Sequence, residues 1–151
     1  MNTTTGTQGA AATAAPDLTT LEAGQQLPAM HKFPDEAQLF LYSAASHNPH
    51  RIHYDREYAR FEGHDDIIVH GPLQGAWLTQ YVADWAGPAA RLLGVTWQNR
   101  ASGLVGEELV FSGTVTSVDA ETGIVELEIA EHTSDGRLLM PATARVRLPT
   151  A

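Results

Sequence analysis

The chain has no cysteine and only one lysine, Lys32, and these scarcities already remove several classes of function. Without cysteine there is no disulfide, no thiolate metal site and no cysteine nucleophile. Eight arginines are the only other bases against 18 acids, and the formal charge is −9. A surface of that sign repels polyanions, which argues against nucleic acid or an acidic membrane surface as partner. No apolar run reaches the ~20 residues needed to span a bilayer. The first twenty residues carry no Lys or Arg and no long apolar block. They therefore lack the charged start and apolar centre of a secretion signal. Built mostly of Thr, Ala and Gly, residues 1–20 are expected to be a disordered tail with little to bury. One cytoplasmic domain over residues 21–151 is expected to follow.

At 151 residues the chain has the length of one domain with a proper core. LEAGQQLPAMHKF reads as an extended lead-in. PDEAQLFLYSAAS opens with Pro34 and two acids, which suits a helix start because acidic side chains favour the positive end of the helix dipole. DREYARFEG predicts a helical turn stopped at Gly63. HGPLQGAWLTQYVADWAG is the strongest helix, with Pro72 in its first turn and Gly87-Pro88 at its end. Leu73, Ala76, Trp77, Tyr81, Val82 and Trp85 run most of the way round it, the mark of a mostly buried helix.

The last third reads as strands: LLGVTWQNRAS, ELVFSGTVTSV, GIVELEIAEHT and RLLMPATARVRL. Asp119–Gly123 and Ser134–Gly136 supply hairpin turns between the last three. Val125, Leu127 and Ile129 alternate with Glu126 and Glu128, the period of a half-buried strand. The fold class is α+β, with an antiparallel sheet wrapped around the central apolar helix.

The densest chemistry lies in SHNPHRIHYDREYA, residues 46–59, where His47, His50 and His53 fall three apart. On a helix that spacing would put all three on one face, as a metal site would need. Pro49 opposes this, because the residue before a proline avoids helical geometry. A polar loop whose histidines cap helix ends is the plainer reading. A third reading joins the loop to DDIIVHGPLQGAWL. There a strand-like run, Ile67 to Val69, is expected to pass through His70-Gly71 into the buried helix. The helix start presents unpaired N–H groups and the positive end of a dipole. Gly71 has no side chain to keep a ligand from them. A carbonyl held there would have its developing negative charge stabilised. With an acid/base residue beside it, this is what enolate chemistry next to a thioester requires.

The two clusters resemble the MaoC-like, (R)-specific enoyl-thioester hydratase/dehydratase family. Its motif runs Asp-x-Asn-Pro-ϕ-His-ϕ-Asp, with ϕ apolar, then Tyr-Ala, then Ile-x-His-Gly. Aligned on the histidine, His53 stands at the catalytic position and Asp55 at the trailing acid, while Tyr58-Ala59 and IIVHGPLQ match. The likeness is greater to the branch of hydroxyacyl-thioester dehydratase type 2 and mesaconyl-type CoA hydratases. Residues 48–55 and 70–74 carry that branch's Asn-x-His-Arg-Ile-His-Tyr-Asp and His-Gly-Pro-Leu-Gln wording. In this alignment the usual catalytic aspartate becomes Asn48, whose amide cannot exchange a proton at neutral pH but can orient a water.

The resemblance implies a single hot-dog domain that reversibly hydrates a 2-enoyl thioester or dehydrates a 3-hydroxyacyl thioester. His53 is implied as general base and acid, a task suited to imidazole at neutral pH. Asn48 would hold the water or leaving hydroxyl, and the Gly71 N–H would bind the thioester oxyanion. His50, Arg51, His70, Pro72 and Leu73 are expected around the substrate, with His70 shaping the turn. Arg51 and Arg56 could grip phosphates, or pair on the surface with Asp55, Glu57 or Asp65. Trp77, Trp85 and Trp97 are expected in the core and a dimer interface.

The substrate is implied to travel as a CoA or acyl-carrier-protein thioester in fatty acid or polyketide metabolism, with no cofactor and no metal. Members of the branch often carry two hot-dog units where this chain has one. A homodimer, or a heterodimer with a related chain, is therefore expected. Two alternatives remain open. One is a hot-dog thioesterase using Asp84 or Glu62; the other is a weakly active or inactive substrate-binding subunit of a heterodimeric dehydratase. A binding module for an acidic carrier is less attractive, since eight acids and no Lys or Arg lie between Glu107 and Asp135.

Overall fold

The structure, a computed structural model, describes residues 15–150. Residues 1–14 of the expected tail lie outside the described residues. Residues 15–20, also assigned to that tail, are placed: Asp17 accepts from the Thr19 backbone N–H and hydroxyl at 2.9 and 2.7 Å, and Leu18 packs on the core. Packing therefore starts before Leu21.

Strand β1 (Gln26–Lys32) leads into helix α1 (Glu36–Ala45). Asp35 caps the helix by accepting from the Gln38 N–H at 2.7 Å. Of α1 only Leu39 and Ser43 are buried, so a narrow stripe meets the core while Phe40 and Leu41 stand exposed. After the histidine loop, α2 (Arg56–Phe61) is capped by Asp55 and stops at Gly63, whose φ of +92° favours glycine.

Helix α3 (Gly71–Ala86) has His70 as its N-cap residue and Pro72 in its first turn, where the missing N–H costs nothing. Leu73, Trp77, Leu78, Tyr81, Val82 and Trp85 are buried, but Ala76, expected on the apolar face, is exposed. Strands β2 (Arg91–Trp97), β3 (Leu109–Asp119), β4 (Ile124–Thr133) and β5 (Leu138–Arg147) complete one sheet of order β1-β3-β4-β5-β2. All its neighbours are antiparallel. The β3-β4-β5 meander follows the expected hairpins, with Asp119 accepting from the Glu121 and Thr122 N–H groups in the first turn.

Val125, Leu127 and Ile129 face inward as their alternation requires. Phe111 meets the rings of Trp77 and Tyr81 at 6.3 and 6.4 Å between centroids. Since α3 packs on β1, β2, β4 and β5, the sheet wraps the helix as the sequence implied.

Three expectations need correction. Ile67 to Val69 is buried but forms only one isolated bridge, Ile68 to Leu104, rather than a strand. The strand expected over LLGVTWQNRAS ends at Trp97. Trp97 is also not a core residue: it is 41% exposed, with its indole pressed against α3 at Gly75. A Cβ on Gly75 would lie 2.5 Å from Trp97 Cζ2. Gly75→Ala is thus expected to destabilise the fold by about 1–3 kcal/mol, the usual range for overpacking, as read by urea unfolding. An unchanged midpoint would mean that the indole moves aside freely.

Candidate active site

Between α1 and α2 the histidine loop cannot be a continuous helix. His47 takes a left-handed φ of +53°, Pro49 follows, and only Arg51–His53 form a 3-10 turn. Asn48 is held at the loop start: its N–H donates to the Ser43 carbonyl at 2.9 Å, and its Oδ1 accepts from the His50 N–H at 3.3 Å. His50 is exposed and caps the short turn, its Nδ1 facing the Ile52 N–H at 3.5 Å. Among the described residues no group of three or more His, Asp or Glu is placed to hold a metal ion.

The same turn carries His53 inward. It is buried, and its Nδ1 lies 2.8 Å from the Ile68 carbonyl oxygen. A carbonyl can only accept, so Nδ1 carries the proton and Nε2 holds the lone pair in the neutral ring. No protein group among the described residues occupies Nε2. Burial is the main force lowering the His53 pKa; the bond to Ile68 opposes it, and His50 and His64 add a smaller lowering.

His70 stacks on His53, with ring centroids 3.7 Å apart and planes at 19°. It is fully buried, its Nε2 is 2.8 Å from Ser43 Oγ, and its Nδ1 has no partner. Burial and then the neighbouring His53 push its pKa down to about 4, so it is neutral at pH 7. His70 sets the entry to α3 without a side-chain capping bond. Ser43 thus ties the two clusters together, holding His70 by its hydroxyl and Asn48 by its carbonyl. Gly71 follows at the first turn of α3, with Pro72 exposed and Leu73 buried behind it.

The remaining sequence candidates sit further out. Arg51 pairs with Asp55, Nε to Oδ2 at 3.1 Å, and lies over the Tyr58 ring at 4.5 Å. Arg56 spans Glu36 at 2.6 Å and Asp66 at 2.7 Å, tying α1 and the segment before α3 to α2. Both arginines are therefore already engaged in surface pairs, though with partners only partly as expected. A cleft of about 310 Å³ opens beside the loop, lined by Phe40, Ser43, Ala44, His47, Pro49 and Tyr54.

One polar pair was not singled out from the sequence. Gln74, in the first turn of α3, donates Nε2 to both oxygens of Glu131 at 3.0 Å, and both side chains are fully buried. Burial raises the Glu131 carboxyl to about 7, against the partial relief given by Gln74. The signal was present in the strand's parity: with Val125, Leu127 and Ile129 inward, Glu131 must also point inward.

The hydroxyacyl-thioester dehydratase type 2 family matches the chain over residues 6–101, more than half its length. The mesaconyl-C(4)-CoA hydratase of Chloroflexus aurantiacus is 47% identical over 55 residues, which make up 32% of this chain and 20% of that one. The match therefore spans about a fifth of that relative. The 3-oxo-4,17-pregnadiene-20-carboxyl-CoA hydratase beta subunit of Mycobacterium tuberculosis is 28% identical over 119 residues, covering 75% of this chain and 86% of the subunit. Among solved structures, the (R)-hydratase from A. caviae involved in PHA biosynthesis superposes with a TM-score of 0.78 at 25% identity, covering 86% of this chain and 98% of that one. The helix wrapped by five antiparallel strands is the hot-dog fold, and the chain belongs to the hydroxyacyl-thioester dehydratase type 2 family of hydro-lyases.

Proposed function

We propose that this chain adds water to a 2-enoyl thioester, or removes it from a 3-hydroxyacyl thioester, with His53 moving the protons. The carrying observation is the His53 Nδ1–H bond to the Ile68 carbonyl at 2.8 Å. It fixes the proton on Nδ1 and leaves the Nε2 lone pair free. Burial, which outweighs the opposing pull of that bond, lowers the pKa and favours the neutral ring that a general base needs. In dehydration Nε2 takes the proton from the carbon next to the thioester carbonyl. The electron pair moves onto the carbonyl oxygen, which the Gly71 N–H and the α3 dipole stabilise. As the pair returns, the C–O bond to the 3-hydroxyl breaks, and the His53 proton leaves with it as water. Hydration is the reverse. Asn48 holds the water or departing hydroxyl, and the reaction so drawn calls for no cofactor.

Substrate delivery by CoA or an acyl-carrier protein belongs to the same proposal. A second hot-dog unit is proposed to dock on β2. That strand is an unprotected sheet edge whose residues are exposed apart from half-buried Val95, with Leu92, Leu93 and Trp97 at its surface. Natural proteins seldom leave such an edge uncovered. Similarity to a subunit called beta supports a related chain as partner alongside a second copy. Among the described residues no helix is long and apolar enough to cross a membrane.

The thioesterase reading is less well supported. Asp84 is exposed and thirteen residues along α3 from Gly71, about 20 Å at the rise of a helix, and Glu62 is exposed beyond α2. A panel of 2-enoyl thioesters separates the readings. Loss of enoyl absorbance without thiol release is expected, and stoichiometric thiol release would replace the proposal with hydrolysis. In the same assay Asn48→Ala is expected to fall about tenfold below wild type, while Asn48→Asp, which restores a carboxylate, should equal or exceed it. Wild-type rates in Asn48→Ala would remove Asn48 from the mechanism.

A further inference from the structure

Gly71 and Gly75 stand four residues apart on α3; Gly75 is covered by Trp97, the last residue of β2, and Gly71 by Asn99, two residues beyond it. A Cβ on Gly75 would lie 2.5 Å from Trp97 Cζ2, and one on Gly71 would lie 2.8 Å from Asn99 Nδ2. Two residues of extended chain rise about 6.6 Å, and four residues of helix rise about 6 Å. Strand and helix therefore mesh in step, with Trp97 over Gly75 and Asn99 over Gly71.

The backbone that carries Asn99 is pinned on both sides. The Gln98 N–H donates to the Pro141 carbonyl at 3.0 Å, and the Arg100 N–H to the Leu139 carbonyl at 2.9 Å. The side chains of Gln98 and Arg100 are bonded to each other at 3.1 and 2.6 Å, which leaves Asn99 between them. Its side-chain amide has no hydrogen-bond partner among the described residues, and the residue is exposed. Nothing in the core requires an amide there.

We propose that Asn99 donates a second hydrogen bond to the thioester oxyanion, beside the Gly71 N–H. This rests on the hydratase/dehydratase reading above. A Cβ stands about 2.5 Å from its own backbone nitrogen. With the 2.8 Å approach, Asn99 Nδ2 is therefore at most about 5.3 Å from the Gly71 nitrogen. Two donors each about 2.9 Å from one oxygen can stand as far as about 5.8 Å apart, so a single oxygen can accept from both. The missing side chain at Gly71 keeps the space between them open. Side-chain amides are effective oxyanion donors because they are aimed before charge develops.

The test compares Asn99→Ala and Asn99→Asp with wild type and His53→Ala, using purified full-length chains and 2-enoyl thioesters. Asn99→Ala is expected to lower kcat roughly 10- to 100-fold with KM nearly unchanged, since the bond matters most in the transition state. Asn99→Asp should be slower still, because a carboxylate repels the enolate oxygen. Melting temperatures should match wild type, as befits an exposed position. Wild-type kcat in both Asn99 variants, or a rise in KM alone, overturns the role of Asn99. If His53→Ala is inactive in that case, the hydratase reading stands. A wild-type protein that turns over no thioester overturns both.

Discussion

His53→Ala is expected to lose activity on 2-enoyl or 3-hydroxyacyl thioesters by roughly 10³-fold, about 4 kcal/mol of transition-state stabilisation. The size follows from what the ring does in the proposed reaction: it both removes and delivers the proton, and among the described residues His70 is the titratable side chain stacked on it. His70 cannot substitute readily, because its Nε2 is on Ser43 and its burial keeps it out of contact with a substrate. The pH profile gives an independent check. Burial lowers the His53 pKa, so the base stays unprotonated into more acidic solution than free imidazole would. The acid limb of kcat/KM should therefore fall below the ordinary ~6.5. Removing the ring also removes its stacking on His70, so the melting temperature is measured alongside. A folded His53→Ala protein with an unchanged rate would take His53 out of the mechanism.

Periodicity and turn chemistry made most of this fold legible. The apolar wrap of α3, the Asp119–Gly123 turn and the alternation in GIVELEIA each have one reasonable structural meaning, and the structure follows them. The misreadings come from places where burial does not depend on periodicity. Ile67 to Val69 is buried against the loop before β3 rather than paired into the sheet, and a single bridge, Ile68 to Leu104, is the ladder pairing it makes. Ala76 is compatible with either face of a helix, so its exposure could not be read from its type. The expectation for Trp97, core and dimer interface, fails for the core because β2 is an edge strand and the residue, with its indole over Gly75, is 41% exposed.

For the site, the two motifs brought His53, His70 and Gly71 to attention because chain order and spacing survive in sequence. The Ser43 link, the stacked rings and Asn99 depend on how α1, α3 and the end of β2 meet. Only coordinates show those meetings.

Glu131→Gln is expected to change the pH dependence of stability strongly, by about as much as the buried His70 does in the opposite sense. The carboxyl is fully buried with one amide as partner, and its pKa is raised from 4.5 to about 7. The folded chain therefore binds this proton more tightly than the unfolded chain. The stabilisation is fully present below pH ~4.5 and is lost as pH rises through about 7, amounting to about 3 kcal/mol. His70 acts in the opposite sense. Its pKa is lowered from 6.5 to about 4, so the unfolded chain binds more protons between those values and stability rises with pH there. In the wild type the two nearly cancel between pH ~4.5 and ~6.5, and the Glu131 loss emerges above that. Without the carboxyl, the His70 rise should stand alone and then level off. Urea unfolding from pH 4 to 8.5 should show the gap between Glu131→Gln and wild type widening by about 3 kcal/mol between pH 4.5 and 8. Parallel curves would mean that Glu131 ionises without penalty. Because Glu131 is bonded to Gln74 in the first turn of α3, its ionisation would set a negative charge near the positive helix end that the proposed reaction uses to hold the oxyanion. A neutral Glu131 leaves that end undiminished.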